Sequence, residues 1–335
     1  MPERGVRRVA VSALAWALAA YAFAASGYHV VKKIRVPSGE GAWDYATVDE
    51  AGRRLFVARE GEVDVVNLDT GALEGPIGGL KGARAVAVAP DAKRGFIANA
   101  DGGTVTVFDL GSLKKLSDVP AAAGSEFVAY DPSSKRVLAL NAGAHNATVI
   151  NAADGTVAGT IDVDGSTAIA DGSGQFFVAL KDKGAVARVD PQKLAVGPTW
   201  PVADCERPSG LALDKKSHRL FVGCRNLMLY VVDSDKGRVI TQFSAGENIG
   251  SVAFDPASRV IFVSSEDGLI TVARQEGPDT YRLLDTLYTK PGSRTMAFDS
   301  KTHQLFVPSG DLEKAAAGGR KKLVAGTFGI LVVGK

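Results

Sequence analysis

Apolar and polar residues alternate along this chain in short runs, without the three- and four-residue apolar spacing of a long amphipathic helix. Alternation with a period of two predicts strands, because successive side chains of a strand point to opposite faces. The runs also recur as a unit. A short segment closes on Asp or another turn residue, a basic turn follows, and a strand carrying an aromatic residue and Val comes next. The first three copies read Thr47-Val48-Asp49 to Leu55-Phe56-Val57, Ala87-Val88-Ala89 to Gly95-Phe96-Ile97, and Ala129-Tyr130-Asp131 to Val137-Leu138-Ala139. A fourth, Ile169-Ala170-Asp171 to Phe176-Phe177-Val178, is one residue shorter. Ala212-Leu213-Asp214 to Leu220-Phe221-Val222, Ala253-Phe254-Asp255 to Ile261-Phe262-Val263, and Ala297-Phe298-Asp299 to Leu305-Phe306-Val307 complete the series, at steps of 40 to 44 residues.

Two more strands follow each copy, clearest at 104–109 and 229–233, where Asp109 and Asp233 close a strand before a turn. Asn67, Asn151 and Asp190 hold the same place. Short Asx side chains bond the backbone two residues on, which assigns these five to turns rather than to chemistry. Four strands per forty-odd residues is the unit of a propeller blade. The expected fold is therefore all-β, a seven-bladed β-propeller of four-stranded antiparallel blades. The last blade lacks a fourth strand of its own after 329–333. An orphan strand at 28–36 is expected to join it and close the ring, hiding two sheet edges. The connection at 311–326, with its Ala-Gly and Arg-Lys-Lys runs, is long for a link inside a blade and reads as a solvated loop or a flap.

The first 25 residues differ from the rest. Arg4, Arg7 and Arg8 precede an apolar run that ends in small residues around Ala22, Ala24 and Ala25, the layout of a secretory leader. Residues 1–25 are expected to be removed, with a retained N-terminal anchor as the other reading, leaving 26–335 as one propeller domain in the periplasm or exterior of a bacterium, with no membrane span after cleavage. The mature chain then carries 36 basic and 36 acidic residues. Such a balance gives no support to nucleic-acid binding, which needs a concentrated basic face. The 38 glycines fit a chain of many tight turns. Cys205 and Cys224 flank the two arms of one hairpin, so an exported chain is expected to join them as a disulfide, with two free thiols as the other reading.

The repeats also resemble a known group. Phe96-Ile97-Ala98-Asn99 and Leu138-Ala139-Leu140-Asn141, with Thr104-Val105-Thr106-Val107-Phe108-Asp109, look like the YVTN repeat of bacterial β-propellers. Trp43-Asp44-Tyr45, the run Cys205-Glu206-Arg207-Pro208-Ser209-Gly210 and Arg294-Thr295-Met296-Ala297 look closer to its exported YncE-like branch. The resemblance spans the mature chain and departs at Leu180, Ser265 and Ser309, where the repeat Asn is missing. It implies an exported binding or scaffold protein, and members of the group have been linked to single-stranded DNA. Related propellers include lactonases, lyases and proteins that handle modified haems, so it also admits an enzyme or a cofactor-handling protein.

In a propeller the segments entering each first strand converge on one mouth of the central channel. Here they supply Trp43, Asp44, Tyr45, Arg84, Glu126, Phe127, Thr167, Glu206, Arg207, Pro208, Asn248 and Arg294. The rim is polar, mixed in sign and uneven, as a specific small ligand or a protein partner requires. Trp43, Asp44, Tyr45, Arg84, Glu126, Arg207, Asn248 and Arg294 are the candidate ligand-binding residues. The alternative is that they pair among themselves and hold blades in register. For an enzyme, Glu126 or Asp44 would serve as base, with Arg84, Arg207 and Arg294 clamping an anionic substrate. No catalytic motif, haem-attachment run or phosphate loop is present, and the sequence implies no cofactor or metal. A calcium ion held by Asp44, Glu126 and Asn248 stays open.

Overall fold

The computed structural model describes residues 26–37, 41–313 and 322–335. The leader at 1–25 and the middle of the 311–326 connection fall outside the described residues. Each blade is a four-stranded antiparallel sheet, and there are seven. The first contains Ala46–Asp49, Arg54–Arg59, Glu62–Asn67 and Leu73–Gly78, from the channel outward. Its second and third strands are almost wholly buried and its fourth is exposed. That gradient follows from radial stacking, in which the middle of each sheet is covered on both faces by its neighbours.

The aromatic of the repeat supplies much of this covering. Phe56 packs with Val86, Ile97 and Phe108 of the second blade, and Phe306 of the seventh packs with Leu55 and Val57 of the first. Each fully buried Phe contributes about 2–3 kcal/mol. Where a first strand ends on Asp, that Asp caps the turn after it. Backbone amides of Gly52, Ser134, Lys216 and Lys301 donate to Asp49, Asp131, Asp214 and Asp299 at 2.6–3.2 Å. The basic turn residue then takes positive φ, as in Arg53, Lys93, Lys135, His218, Arg259 and His303.

The end of each second strand holds one structural position with varied chemistry. Asn99 Nδ2 donates to Thr106 Oγ1 at 2.9 Å, and Asn141 Nδ2 to Thr148 Oγ1 at 3.0 Å. In the first blade Arg59 and Asp64 take these two places as a buried pair 3.6 Å apart. Burial pushes the Asp64 carboxyl up to about 6, with Arg59 pulling the other way. In the fifth blade the position is Cys224.

The ring closes as the pattern predicts. Strand His29–Arg35 pairs antiparallel with Gly329–Gly334 as the outer strand of a sheet that also holds Ala297–Asp299 and Gln304–Ser309. Tyr28 packs edge-on against Phe262 at 4.9 Å, and Ser26 Oγ donates to Asp285 Oδ2 at 2.9 Å. Among the described residues no helix is long and apolar enough to cross a membrane.

Candidate functional site

Antiparallel strands place two sets of turns at the same end of the ring. The segments entering the first strands bring Asp44, Arg84 and Arg294, and the turns between second and third strands bring Glu60, Arg225 and Glu266. Together with Trp43 and Leu312 they line a cavity of about 400 Å³ at the channel mouth. Backbone irregularities aim some of these groups. The pairing of the first and second strands slips at Ala83/Ala85, Ser125/Phe127 and Ile249/Ser251. The extra residue at the first two slips is Arg84 and Glu126, and a bulge turns its side chain away from the regular pleat. At the third it is Gly250, where a Cβ would come within 2.4 Å of the Arg294 carbonyl.

Asp44 is the hub. Its Oδ2 lies 3.4 Å from Arg84 Nη1 and its Oδ1 3.6 Å from Arg294 Nη2. Its backbone is fixed as well, because Thr295 Oγ1 donates to the Asp44 carbonyl at 2.8 Å. Burial raises the Asp44 carboxyl above the usual range, while Arg294 and Arg84 draw it back and Glu126 adds to the rise. Among the described residues, Asp44 Oδ1 and Arg84 Nε are buried without a hydrogen-bond partner, capacity that suits a further polar group at the site.

Arg225 differs from the other two guanidiniums. It is half-buried, and the carboxylate that acts on it is Glu266. Burial lowers its pKa, and Arg294 and Arg207 add to that by repulsion, against a weaker pull from Tyr45 and Glu266. Its turn is rigid. Cys205 and Cys224 form a disulfide with Cα atoms 5.5 Å apart, the Arg225 amide donates to the Glu206 carbonyl at 2.7 Å, and Asn226 Nδ2 donates to the Asp204 carbonyl at 2.6 Å. The expected disulfide therefore sits at the mouth.

Beneath the mouth, the first strands enclose a channel cavity of about 320 Å³ lined by Tyr45, Phe127, Tyr130, Met296 and small apolar residues. Tyr45 meets Phe127 edge-on at 5.0 Å, and burial pushes its hydroxyl up to about 12.

The eight candidate residues are thus distributed unevenly. Trp43, Asp44, Arg84 and Arg294 line the mouth cavity, and Tyr45 lines the channel below. Glu126 and Arg207 are exposed nearby and are felt electrostatically, Glu126 by Asp44 and Arg207 by Arg225. Asn248 lines neither cavity and occupies a turn at φ 51°, a conformation that Asn tolerates well. Among the described residues no group of three or more His, Cys, Asp or Glu could hold a metal. Arg225, Glu60 and Glu266 belong to the cavity although the segments entering the first strands do not contain them.

No protein-family model matches the sequence, and no curated protein matches it. Solved structures do match. Hydrazine synthase of Kuenenia stuttgartiensis is similar with a TM-score of 0.71 and 14% identity, over 81% of this chain and 94% of that one. U3-55K and the WD40 repeats of RRP9 are each similar with a TM-score of 0.76 and 13% identity, over 90% of this chain and 97% of theirs. Identities this low concern the fold alone, and the fold is a seven-bladed β-propeller.

Proposed function

We propose that this chain is an exported, YncE-like member of the YVTN-repeat propellers and a non-catalytic binding protein whose channel mouth holds a small anionic ligand. One observation carries the reading: Arg225 is a half-buried guanidinium on a rigid turn, beside Arg294 and Arg207, whose repulsion outweighs the weaker pull of Glu266. A cation kept in that setting is stabilised when an anion arrives, since charge-assisted bonds strengthen as water is excluded. The leader sequence and the disulfide agree with export. A long polyanion such as DNA fits less well, because Asp44, Glu60 and Glu266 line the same cavity.

The raised carboxyl of Asp44 is what favours an enzyme instead. Both of its oxygens face guanidiniums, however, which suits an anchor better than a base. Calorimetric titration of the mature protein with small carboxylates and phosphates, against neutral analogues, tests the reading. Arg225→Gln is expected to weaken the best anion about 10- to 100-fold, the loss of one charge-assisted bond. Equal binding of charged and neutral compounds, or conversion of the ligand during incubation, overturns it.

A further inference from the structure

Resting on that reading, we infer that the anion is borne on a flat aromatic ring, so that the ligand class is an aromatic carboxylate. The cavity has a second, apolar side that anion capture alone does not use. Trp43 lines it, and Phe328 packs against Trp43 with ring centroids 5.3 Å apart and planes inclined at 35°. Beneath them, the Arg59 guanidinium sits 4.6 Å from the Phe328 centroid and is itself held by a bond from Nη2 to the Gly41 carbonyl at 2.6 Å. A cation, a ring and a second ring are thus layered, and the outermost ring meets the cavity. The neighbouring walls are small or apolar: Ala42, Ala83, Gly292 and Leu312. Gly292 has φ +94°, and a Cβ there would stand 2.5 Å from Leu312, so the bare glycine lets Leu312 close the edge.

The dimensions fit one molecule of this class. A cavity of about 400 Å³ holds roughly a dozen water-sized groups, the bulk of a one- or two-ring acid. Stacking area on one wall and guanidiniums on the other fix both ends of such a ligand, whereas an aliphatic acid would leave the Trp43 ring without a matching face.

The test compares 2-naphthoate with its saturated analogue of equal charge, decahydronaphthalene-2-carboxylate, and with neutral 2-naphthamide, by calorimetry and by tryptophan fluorescence. Naphthoate is expected to bind about three- to tenfold more tightly than the saturated acid, the margin of an aromatic pair, and to change the emission that Trp43→Phe removes. Trp43→Leu is expected to bring naphthoate down to the affinity of the saturated acid, whose own binding changes little, while Trp43→Phe, which preserves a ring against Phe328, keeps the margin. Equal affinity for the two acids overturns the aromatic inference and leaves the anionic reading intact. Equal affinity for naphthoate and naphthamide overturns the anionic reading and this inference with it.

Discussion

Cys205 and Cys224 join the two chain segments that carry Arg207 and Arg225, with their Cα atoms 5.5 Å apart. The bond lies between one residue that enters the first strand of the fifth blade and one that leaves its second. Each cysteine is within two residues of a mouth arginine. The staple therefore sets the spacing of two like charges that would otherwise push their turns apart.

Reduction, or replacement of both cysteines by Ser, is expected to lower stability by about 3 kcal/mol, because the bond closes a loop with a sequence separation of 19. The affinity for a small anion should also fall, by about three- to tenfold, since Arg225 must then be ordered at the moment of binding. Urea unfolding reads the first effect and calorimetry the second. Loss of stability with unchanged affinity would mean that the staple holds the blade but does not position the arginine.

Asp44 competes with any incoming anion for Arg84 and Arg294. Asp44→Asn removes that competitor and keeps the shape, so anion affinity is expected to rise by about tenfold, the scale of one partly buried ion pair. The same logic gives the wild type a pH dependence. The Asp44 carboxyl lies above its ordinary value, so acidification neutralises it and tightens binding, until the ligand's own acid group begins to protonate. The variant should lack this rise. If Asp44 served as a base in a reaction, the substitution would abolish turnover and leave affinity where it was.

Gly95 and Phe108 are a matched pair across neighbouring strands of the second blade. The other blades place a larger residue at the Gly95 position, such as Leu55 or Val137, opposite Val66 or Ile150. A Cβ on Gly95 would fall 2.0 Å from the Phe108 ring, which is fully buried and has nowhere to move. Gly95→Ala is expected to cost about 2–3 kcal/mol by overpacking. Adding Phe108→Val restores room, so the double variant should be more stable than the single one. Thermal unfolding of the three proteins decides it, and a double variant no better than the single would show that the clash is not with Phe108.

The fold was legible because one strand-turn-strand unit recurs seven times at nearly even steps. Asp49, Asp131 and their equivalents cap the same turn, and Phe56, Phe96 and theirs fill the same gap between blades, so period and strand number could be read together. The orphan strand followed from counting strands in the last blade. The site was only half legible. Asp44, Arg84 and Arg294 lie in segments whose place at the mouth follows from the repeat. Arg225 and Glu266 lie in turns between second and third strands, which antiparallel geometry brings to the same mouth, and that signal was available to a reader who traced each strand's direction. The bulges at Arg84 and Glu126 had no signal in the sequence. They depend on where two strands slip past each other, which pairing in the folded sheet decides.

Arg53 and Asp299, far apart in sequence, meet across the seam between the first and last blades, with guanidinium nitrogens at 2.9 and 3.0 Å from the two carboxylate oxygens. The Asp299 side chain is fully buried there. Burial alone would raise its pKa, but Arg53, the Thr302 hydroxyl and the Lys301 amide outweigh it and hold the carboxyl below its ordinary value. A carboxyl lowered on folding contributes stability that is complete above its unfolded pKa of about 4 and is lost as pH falls through the folded value. Asp299→Asn keeps the size and one accepting oxygen, removes the charge and sets an NH2 donor where the second oxygen accepted, so it breaks the pair from the acid side. It is expected to cost about 3 kcal/mol at neutral pH, as a buried pair broken on one side does, and to flatten the fall in stability below pH about 4. Urea unfolding of wild type and variant from neutral to acid pH reads both effects. Parallel curves, displaced but with the same acid limb, would show that the seam is held by packing and the outer strand rather than by this charge.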